Sequence, residues 1–402
     1  MKLAGGAFED QQFRRFFSGV FIAVQAIWIQ RVTLGWLAWE RTGSAGVVGV
    51  VAALSLAPTL VAGPFFGVLA DRVDIRRAAF ATNGAMAAII AVLAIFAGGV
   101  GAVGLAIAAL AIGIVSAAHH PVRMSLGPRL VAKELVQHVV SVTALNFNIA
   151  RLVAPVFAGW VIASAGGSTA LWLAALCYVP MLAVLPGLHP RDLPPRAARP
   201  FLEDLKDGVT YAIGDPLIRT ALLITLVFAT ITRGALEVLP VLADGACERG
   251  AAGLGYLTAA AGAGALTSAI IKAAGVGAVG ARIPPAVWVA ALAGPGAVVA
   301  MGAASTWPLA LAATALAGFC ATWCGVSLQS AIQTDLPDAM RGRVMSLWVV
   351  VGFGTVALRA LAIGWVAEAA DISIALMMLG VSGAAAIVGV RLVTKHPKSA
   401  EG

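Results

Sequence analysis

Four arginines and one glutamate of this 402-residue chain lie inside long apolar stretches: Arg31, Arg151, Arg233, Arg359 and Glu237. An arginine at the centre of a membrane-spanning helix costs about 2.5 to 3.5 kcal/mol on insertion scales, so each one needs polar surroundings. The five side chains sum to a net charge of +3. Guanidinium groups bind carboxylate, phosphate, sulfate and catecholate oxygens in a forked geometry, so this set predicts a binding site for an organic anion.

The spacing of the arginines indicates two related halves. Arg31 and Arg233 are 202 residues apart. Arg151 and Arg359 are 208 residues apart, so both offsets are close to half the chain. Many transporters are built from such internal repeats. The predicted binding set also includes polar and aromatic side chains at helical spacing from these arginines or on a neighbouring span: Trp28, Asn148, Gln329 and Trp348.

A structural interpretation of the same arginines stays open. They can hydrogen bond to backbone carbonyls, or to Asn and Gln of neighbouring helices, and so hold a helical bundle together. Arg233 and Glu237 are four residues apart on one predicted helix and can pair with each other. Glu237 is also the only acidic residue within the predicted spans, which makes it the candidate for proton coupling.

The composition is that of a multi-pass membrane protein. Hydrophobic residues make up 60% of the chain and charged residues 11%, with a mean hydropathy of +0.93. A soluble domain carries roughly 25% charged residues. The four cysteines have no metal-ligand spacing, and the sequence has no Walker motif and no Ser–His–Asp arrangement. We therefore expect neither an enzyme nor a bound cofactor or metal.

Twelve apolar stretches are long enough to cross about 30 Å of hydrocarbon. They lie at 16–38, 46–69, 78–97, 103–126, 139–163, 168–187, 217–241, 253–271, 284–303, 308–330, 344–367 and 372–393. With the N-terminus inside, 21 Lys and Arg fall in loops and tails on the cytoplasmic side and two on the other side. This asymmetry predicts that both termini are cytoplasmic, and it accounts for the net charge of +8 without a nucleic-acid partner.

The predicted fold is all-α, with twelve transmembrane helices in two pseudo-symmetric bundles of six. The first bundle covers residues 1–187 and the second covers residues 217–402. Residues 188–216 form a Pro-rich cytoplasmic linker that ends in a short amphipathic helix. We expect a monomer whose partners are the lipid bilayer, its substrate, and a coupling proton or counter-anion.

A dense cluster of charge at 67–77 joins the second and third predicted spans. Its pattern, G-x-x-x-D-R-x-x-x-R-R, resembles the loop between helices 2 and 3 of the major facilitator superfamily. The family has Gly where this chain has Asp74. In the family, the Asp of this motif faces the N-terminus of helix 11 and helps to hold the cytoplasmic side closed. The resemblance implies a conformational latch made of Gly67, Asp71, Arg72, Arg76 and Arg77, whereas an ordinary positive-inside hairpin loop is the simpler alternative.

Three further segments resemble the enterobactin-exporter-like and macrolide-efflux-like branch of that superfamily. They are Gly-Trp-Leu-Ala at 35–38, Asn-Phe-Asn-Ile-Ala-Arg-Leu-Val-Ala-Pro at 146–155, and the loop and helix start at 336–347. The branch often has Gly-Asp in helix 1, where this chain has Ala26-Ile27, so one common proton-binding candidate is missing. The antiporter pattern of helix 5 is matched only in part at 154–159.

The resemblance implies a secondary active transporter of the bacterial inner membrane that works by alternating access. It also implies that helices 1, 5, 7 and 11 border one central cavity, which would receive all four arginines. We therefore predict efflux of a small organic anion, with antiport as the expected coupling. Three alternatives stay open: a lysophospholipid or lipid flippase of the same fold, uptake or exchange of a phosphorylated or carboxylated metabolite, and a transporter fold kept as a sensor or scaffold.

Overall fold

The computed structural model describes residues 6–70, 73–191, 201–274, 283–336, 340, 344–345, 347–348 and 350–395. The described residues contain helices and turns but no β-strand, which confirms the predicted all-α membrane fold. The first helices are Gln11–Thr42 (α1), Ala45–Ala70 (α2), Ile75–Phe96 (α3), Ala102–Leu126 (α4), Val136–Leu176 (α5) and Val179–Val184 (α6). The others are Phe201–Gly214 (α7), Pro216–Phe228 (α8), Gly250–Ala273 (α9), Pro285–Gly302 (α10), Trp307–Asp335 (α11), Thr355–Ala369 (α12) and Ile372–Lys395 (α13).

Nine helical segments in the described part of the chain are long and apolar enough to cross a membrane, and a shorter apolar helix covers Ala45–Thr59. One of the nine, Lys133–Gly187, covers both the fifth and the sixth predicted spans. The two spans meet at Gly166, whose φ of 82° and ψ of 164° interrupt α5. Glycine occupies this left-handed region without the steric penalty that other residues pay. The count of twelve spans stays a prediction.

The chain divides into two compact units. Unit 1 comprises Met1–Ala198 and Glu248–Ala259, and unit 2 comprises Arg199–Cys247 and Ala260–Gly402. Residues 250–259 of α9 therefore belong to unit 1, and residues 260–273 belong to unit 2. The domain boundaries taken from the sequence stay a prediction.

The packing of α1 against α5 dominates the part of unit 1 that carries the arginines. Asp10 caps α1, where its carboxylate accepts hydrogen bonds from the backbone N–H groups of Gln12 and Phe13. Buried side chains such as Val24 and Ala150 lie along the two helices. The long shared interface fixes the register of α1 against α5, and with it the positions of the side chains that each helix carries.

The seventh predicted span, 217–241, lies in unit 2 and is not a regular helix. After α8 the chain forms a π-helical turn at Ala229–Arg233, loses helical geometry at 236–238, and forms a second π-helical turn at Val241–Ala246. A third π-helical turn, Val350–Gly354, precedes α12. Single π-helical turns inside α-helices are rare, and they occur often at functional sites.

Glycines allow two helices of unit 2 to approach closely. A Cβ added to Gly264 of α9 would collide with the backbone carbonyl of Ala315 on α11, and a Cβ added to Gly318 would collide with the carbonyl of Ala261. The contact is reciprocal, with a glycine on each helix against the backbone of the other. Helices in lipid associate through such close packing, because the surrounding tails are as apolar as the helices.

Gly264→Val should therefore destabilise the protein by at least ~1–3 kcal/mol, the usual cost of overpacking a dense interface. The matched control is Gly296→Val on α10, because a Cβ at Gly296 meets nothing within 4 Å. Thermal unfolding in detergent should show a lower Tm for the Gly264 variant than for the control. Equal Tm values for the two variants would show that this helix contact contributes nothing to stability.

Candidate functional site

The indole ring of Trp28 organises the arginines of unit 1. Trp28 and Arg31 are three residues apart on α1 and therefore share one face of that helix. Trp28 is buried, with 9% of its surface exposed, whereas Arg31 is exposed. The Arg31 guanidinium carbon, Cζ, lies 5.7 Å from the centroid of the Trp28 ring. This distance is within the range of a cation–π interaction.

Arg151 reaches the same ring from α5. Its Cζ lies 5.8 Å from the Trp28 centroid, and its side chain is half-buried. The packing of α1 on α5 thus brings together two arginines that are 120 residues apart in the sequence. Each cation–π contact contributes about 0.5–2 kcal/mol, which helps to hold the two guanidinium groups in place.

Two guanidinium groups on one ring repel each other, and an anion that binds both turns this repulsion into attraction. No acidic residue occurs on α5, and α1 carries only Glu40, which lies about 13 Å from Arg31 along the helix axis at 1.5 Å per residue. The two guanidinium groups therefore concentrate positive charge beside the Trp28 ring.

In unit 2, Arg233 is the last residue of the first π-helical turn, and Glu237 lies in the non-helical break that follows. Both side chains are half-buried. The backbone N–H of Glu237 donates to the carbonyl of Gly234 at 3.1 Å, a bond that spans three residues instead of the four of an α-helix. The tightened backbone rotates Glu237 relative to the position that a regular helix would give it.

Arg359 of α12 packs onto the same segment. A Cβ added to Gly234 would lie 3.2 Å from Cγ of Arg359, so the glycine leaves room for the arginine stem beside Arg233. The π-helical turn Ala229–Arg233 also packs against Val350–Gly354 and against α12. The two predicted arginines of unit 2, Arg233 and Arg359, therefore lie on elements that contact each other within that unit.

The other predicted binding residues are less directly connected to the arginines. Nδ2 of Asn148 donates to the carbonyl of Ala144 at 2.9 Å, within its own helix. Gln329 is half-buried on α11. Trp348 is partly buried and packs against the apolar core of unit 2. Of the four, Trp28 alone has a described contact with a predicted arginine.

The predicted latch is described only in part. Gly67 lies in α2, while Asp71 and Arg72 lie outside the described residues. Asp74, at the position where the family has Gly, caps α3 by accepting hydrogen bonds from the N–H groups of Arg76 and Arg77 at 2.9 and 3.2 Å. Its carboxylate also lies 3.5 Å from Nε of Arg77.

Arg76 ties α3 to the end of the sixth span. Its Nη1 lies 3.2 Å from the carbonyl of Pro186 and 3.4 Å from that of Leu188. Both partners belong to unit 1. The contacts give this arginine a structural role within its own unit, beside the latch role that the resemblance implies.

The predicted binding set does not include Phe147 or Arg123. The Phe147 ring lies 5.6 Å from the Trp28 ring, and Cζ of Arg123 lies 5.6 Å from the Phe147 centroid. Phe147 is four residues before Arg151, so its helical spacing was a usable signal. Arg123 lies near the end of the fourth predicted span, 103–126, and is counted among the cationic residues of the cytoplasmic side. Its contact with Phe147 depends on tertiary packing and could not be found from local spacing.

No group of three or more His, Cys, Asp or Glu side chains within the described residues is arranged to hold a metal ion. Cys177 and Cys247 are partly buried, Cys320 and Cys324 are buried, and all four are free thiols. These are the surroundings expected for small hydrophobic side chains.

The sequence matches the family described as transmembrane secretion effector over residues 4–401, which is nearly the whole chain. The enterobactin exporter of Shigella boydii is 26% identical over 344 residues, which cover 84% of this chain and 80% of that protein. The staphyloferrin A transporter of Staphylococcus aureus is 28% identical over 178 residues, which cover 43% of this chain and 45% of that protein.

Solved structures share the fold at low sequence identity. The nucleoside transporter NupG superposes with a TM-score of 0.73 at 12% identity, covering 96% of this chain and 100% of that one. The peptide transporter PepTSo superposes with a TM-score of 0.75 at 12% identity, covering 96% of this chain and 98% of that one. The family match along the chain and the shared fold lead to one conclusion: the chain belongs to the transmembrane secretion effector family of the major facilitator superfamily and is a membrane transporter.

Proposed function

We propose that this transporter exports a small organic anion across the bacterial inner membrane by alternating access, with both termini in the cytoplasm. Arg31, Arg151, Arg233 and Arg359 bind the anion. The observation that supports this most strongly is the shared indole ring, on which Arg31 and Arg151 converge from two helices. Two cations beside one ring concentrate positive charge, and this charge attracts a negative ligand.

The direction of transport and the orientation rest on other observations. The Shigella relative is an exporter by name, which favours efflux here. The excess of Lys and Arg on one side favours cytoplasmic termini. Enterobactin and staphyloferrin A, the molecules that the two relatives are named for, are the first candidate substrates. Citrate and 2,3-dihydroxybenzoate serve as simpler anionic probes.

Coupling to protons is proposed through Glu237. It lies four residues from Arg233, in a broken segment where the backbone can adjust when its charge changes. A change in the protonation of this carboxylate changes the charge beside Arg233, and with it the affinity of the site for an anion.

Arg151→Gln should raise the dissociation constant of a transported anion about ten- to hundredfold, because a hydrogen bond to a charged group contributes about 1.5–3 kcal/mol. Arg151→Lys should recover part of the loss, since an ammonium keeps the charge but not the fork. The control Arg41→Gln removes the same charge from the end of α1. Calorimetry on protein in nanodiscs measures anion binding by the wild type and by each variant. Unchanged binding in both Arg31→Gln and Arg151→Gln would refute the proposed site.

Glu237→Gln should abolish the response of transport to an imposed pH gradient, while anion exchange without a gradient persists. The amide keeps the shape of the carboxyl group but cannot gain or lose a proton at this site. Glu40→Gln is the control, because it removes an exposed carboxylate near the end of α1. Proteoliposome flux measured with and without a gradient tests the prediction. A Glu237→Gln protein that still follows the gradient would rule out this carboxylate as the coupling group.

A further inference from the structure

A second cationic position lies at the end of α4, away from the proposed central site. Arg123 is three residues before the last residue of that helix. Its Nε is buried and has no hydrogen-bond partner among the described residues. Its Cζ lies 5.6 Å from the centroid of the Phe147 ring on α5. A buried guanidinium nitrogen without a partner is costly, so the position calls for an acceptor.

The aromatic rings connect Arg123 to the central pair. The rings of Phe147 and Trp28 lie 5.6 Å apart at an angle of 58°, and Trp28 in turn contacts Arg31 and Arg151. Three guanidinium groups from three helices thus lie along two neighbouring rings, all within unit 1. Arg123 lies at one end of this series of side chains, and Arg31 and Arg151 lie at the other end.

A small pocket opens beside Arg123. It is lined by Phe16 and Val20 of α1, Met124 and Pro128 near the end of α4, and Thr143 of α5, with a volume of about 20 Å³. That volume exceeds the ~10–15 Å³ that one water molecule requires, so a single oxygen atom of a ligand fits. Thr143 donates its hydroxyl hydrogen to the carbonyl of Val139 at 2.8 Å.

The charge around the pocket is positive. No acidic residue lines it, and α4 and α5 contain none. Nη2 of Arg191 lies 3.5 Å from the carbonyl of Pro128, so a second guanidinium contacts a residue that lines the pocket. A ligand that enters here therefore meets positive charge and neutral side chains, which favours an anionic oxygen.

The pocket lies toward the N-terminal end of α1. Val20 precedes Arg31 by 11 residues, which is about 16 Å along the helix axis at 1.5 Å per residue. With the N-terminus in the cytoplasm, as proposed above, Arg123 lies between the cytoplasm and the central arginines. An exported anion would meet it first.

We infer that Arg123 forms an entry site for export, which binds a carboxylate or other anionic oxygen of the substrate before Arg151 and Arg31 receive it. The inference rests on the proposed export of an organic anion. The rings of Phe147 and Trp28 hold the three guanidinium groups in a fixed order. The anion passes from one guanidinium to the next by exchanging one pair of charge-assisted hydrogen bonds for another. No covalent bond changes in these steps.

Transport measured separately from each membrane face tests the entry site. The protein is reconstituted in liposomes of zwitterionic lipid, and enterobactin and citrate are the probes. Arg123→Gln should raise the half-saturating concentration about tenfold on the cytoplasmic face, the expected loss for one charge-assisted hydrogen bond. The half-saturating concentration on the opposite face should stay within twofold of the wild type. On the cytoplasmic face, the half-saturating concentration of Arg123→Lys should lie between those of the wild type and Arg123→Gln. The lysine variant also serves as a second variant if the glutamine variant does not fold.

The control is Lys133→Gln, which removes the same charge from an exposed position ten residues further along the chain. It should change the half-saturating concentration on neither face by more than twofold. An equal effect of Arg123→Gln on both faces would assign Arg123 a purely structural role and overturn the inference. So would an effect no larger than that of the control.

Two further outcomes separate this inference from what it rests on. If Arg151→Gln abolishes transport while Arg123→Gln matches the control, the entry site is wrong and the proposed function stands. If the wild-type protein moves neither probe, the proposed function fails and the entry site fails with it. An Arg123→Gln effect that appears only after anionic lipid is added would assign the pocket to a lipid headgroup and overturn the substrate step.

Discussion

A guanidinium group cannot be left in hydrocarbon, and this constraint determines how the central parts of both units are built. Each arginine within a span requires a partner that lipid does not offer, whether a ring, a carbonyl, a carboxylate or a ligand. The protein keeps four such groups, so their combined cost must be offset by the structure or by what the protein binds. The surroundings of the four arginines are therefore the most informative part of the molecule.

The two units meet the constraint in different ways. Unit 1 uses regular helices and an aromatic surface, with Trp28 contacted by both Arg31 and Arg151. Unit 2 departs from regular helix at Ala229–Arg233 and at Val350–Gly354, next to its own arginines. Such departures free backbone carbonyls, which are acceptors for cationic side chains. Arginines at equivalent positions of the predicted repeat therefore have different surroundings in the two units.

Much of the fold follows from the sequence, because hydrophobic length and glycine placement act locally. The break at Gly166 falls between the fifth and sixth predicted spans, 139–163 and 168–187, and α3 begins three residues before the third predicted span, 78–97. The π-helical turns do not follow, because an inserted residue leaves no mark on composition or hydropathy. The convergence of Arg31 and Arg151 on Trp28 and the contact of Arg123 with Phe147 do not follow either, because both depend on the register between packed helices. Hydropathy predicts which segments pack in the membrane, but it does not predict which side chains meet.

The central claim is that the arginines on Trp28 bind the transported anion, and the fluorescence of that tryptophan tests it most directly. The chain has ten tryptophans, so nine are replaced by phenylalanine to leave Trp28 alone. Addition of a transported anion to this variant in nanodiscs should produce a saturable change in emission, because the guanidinium groups shift from the ring to the ligand. A neutral analogue should produce none. Continued transport of the anion with no change in Trp28 emission at saturating ligand would contradict the account.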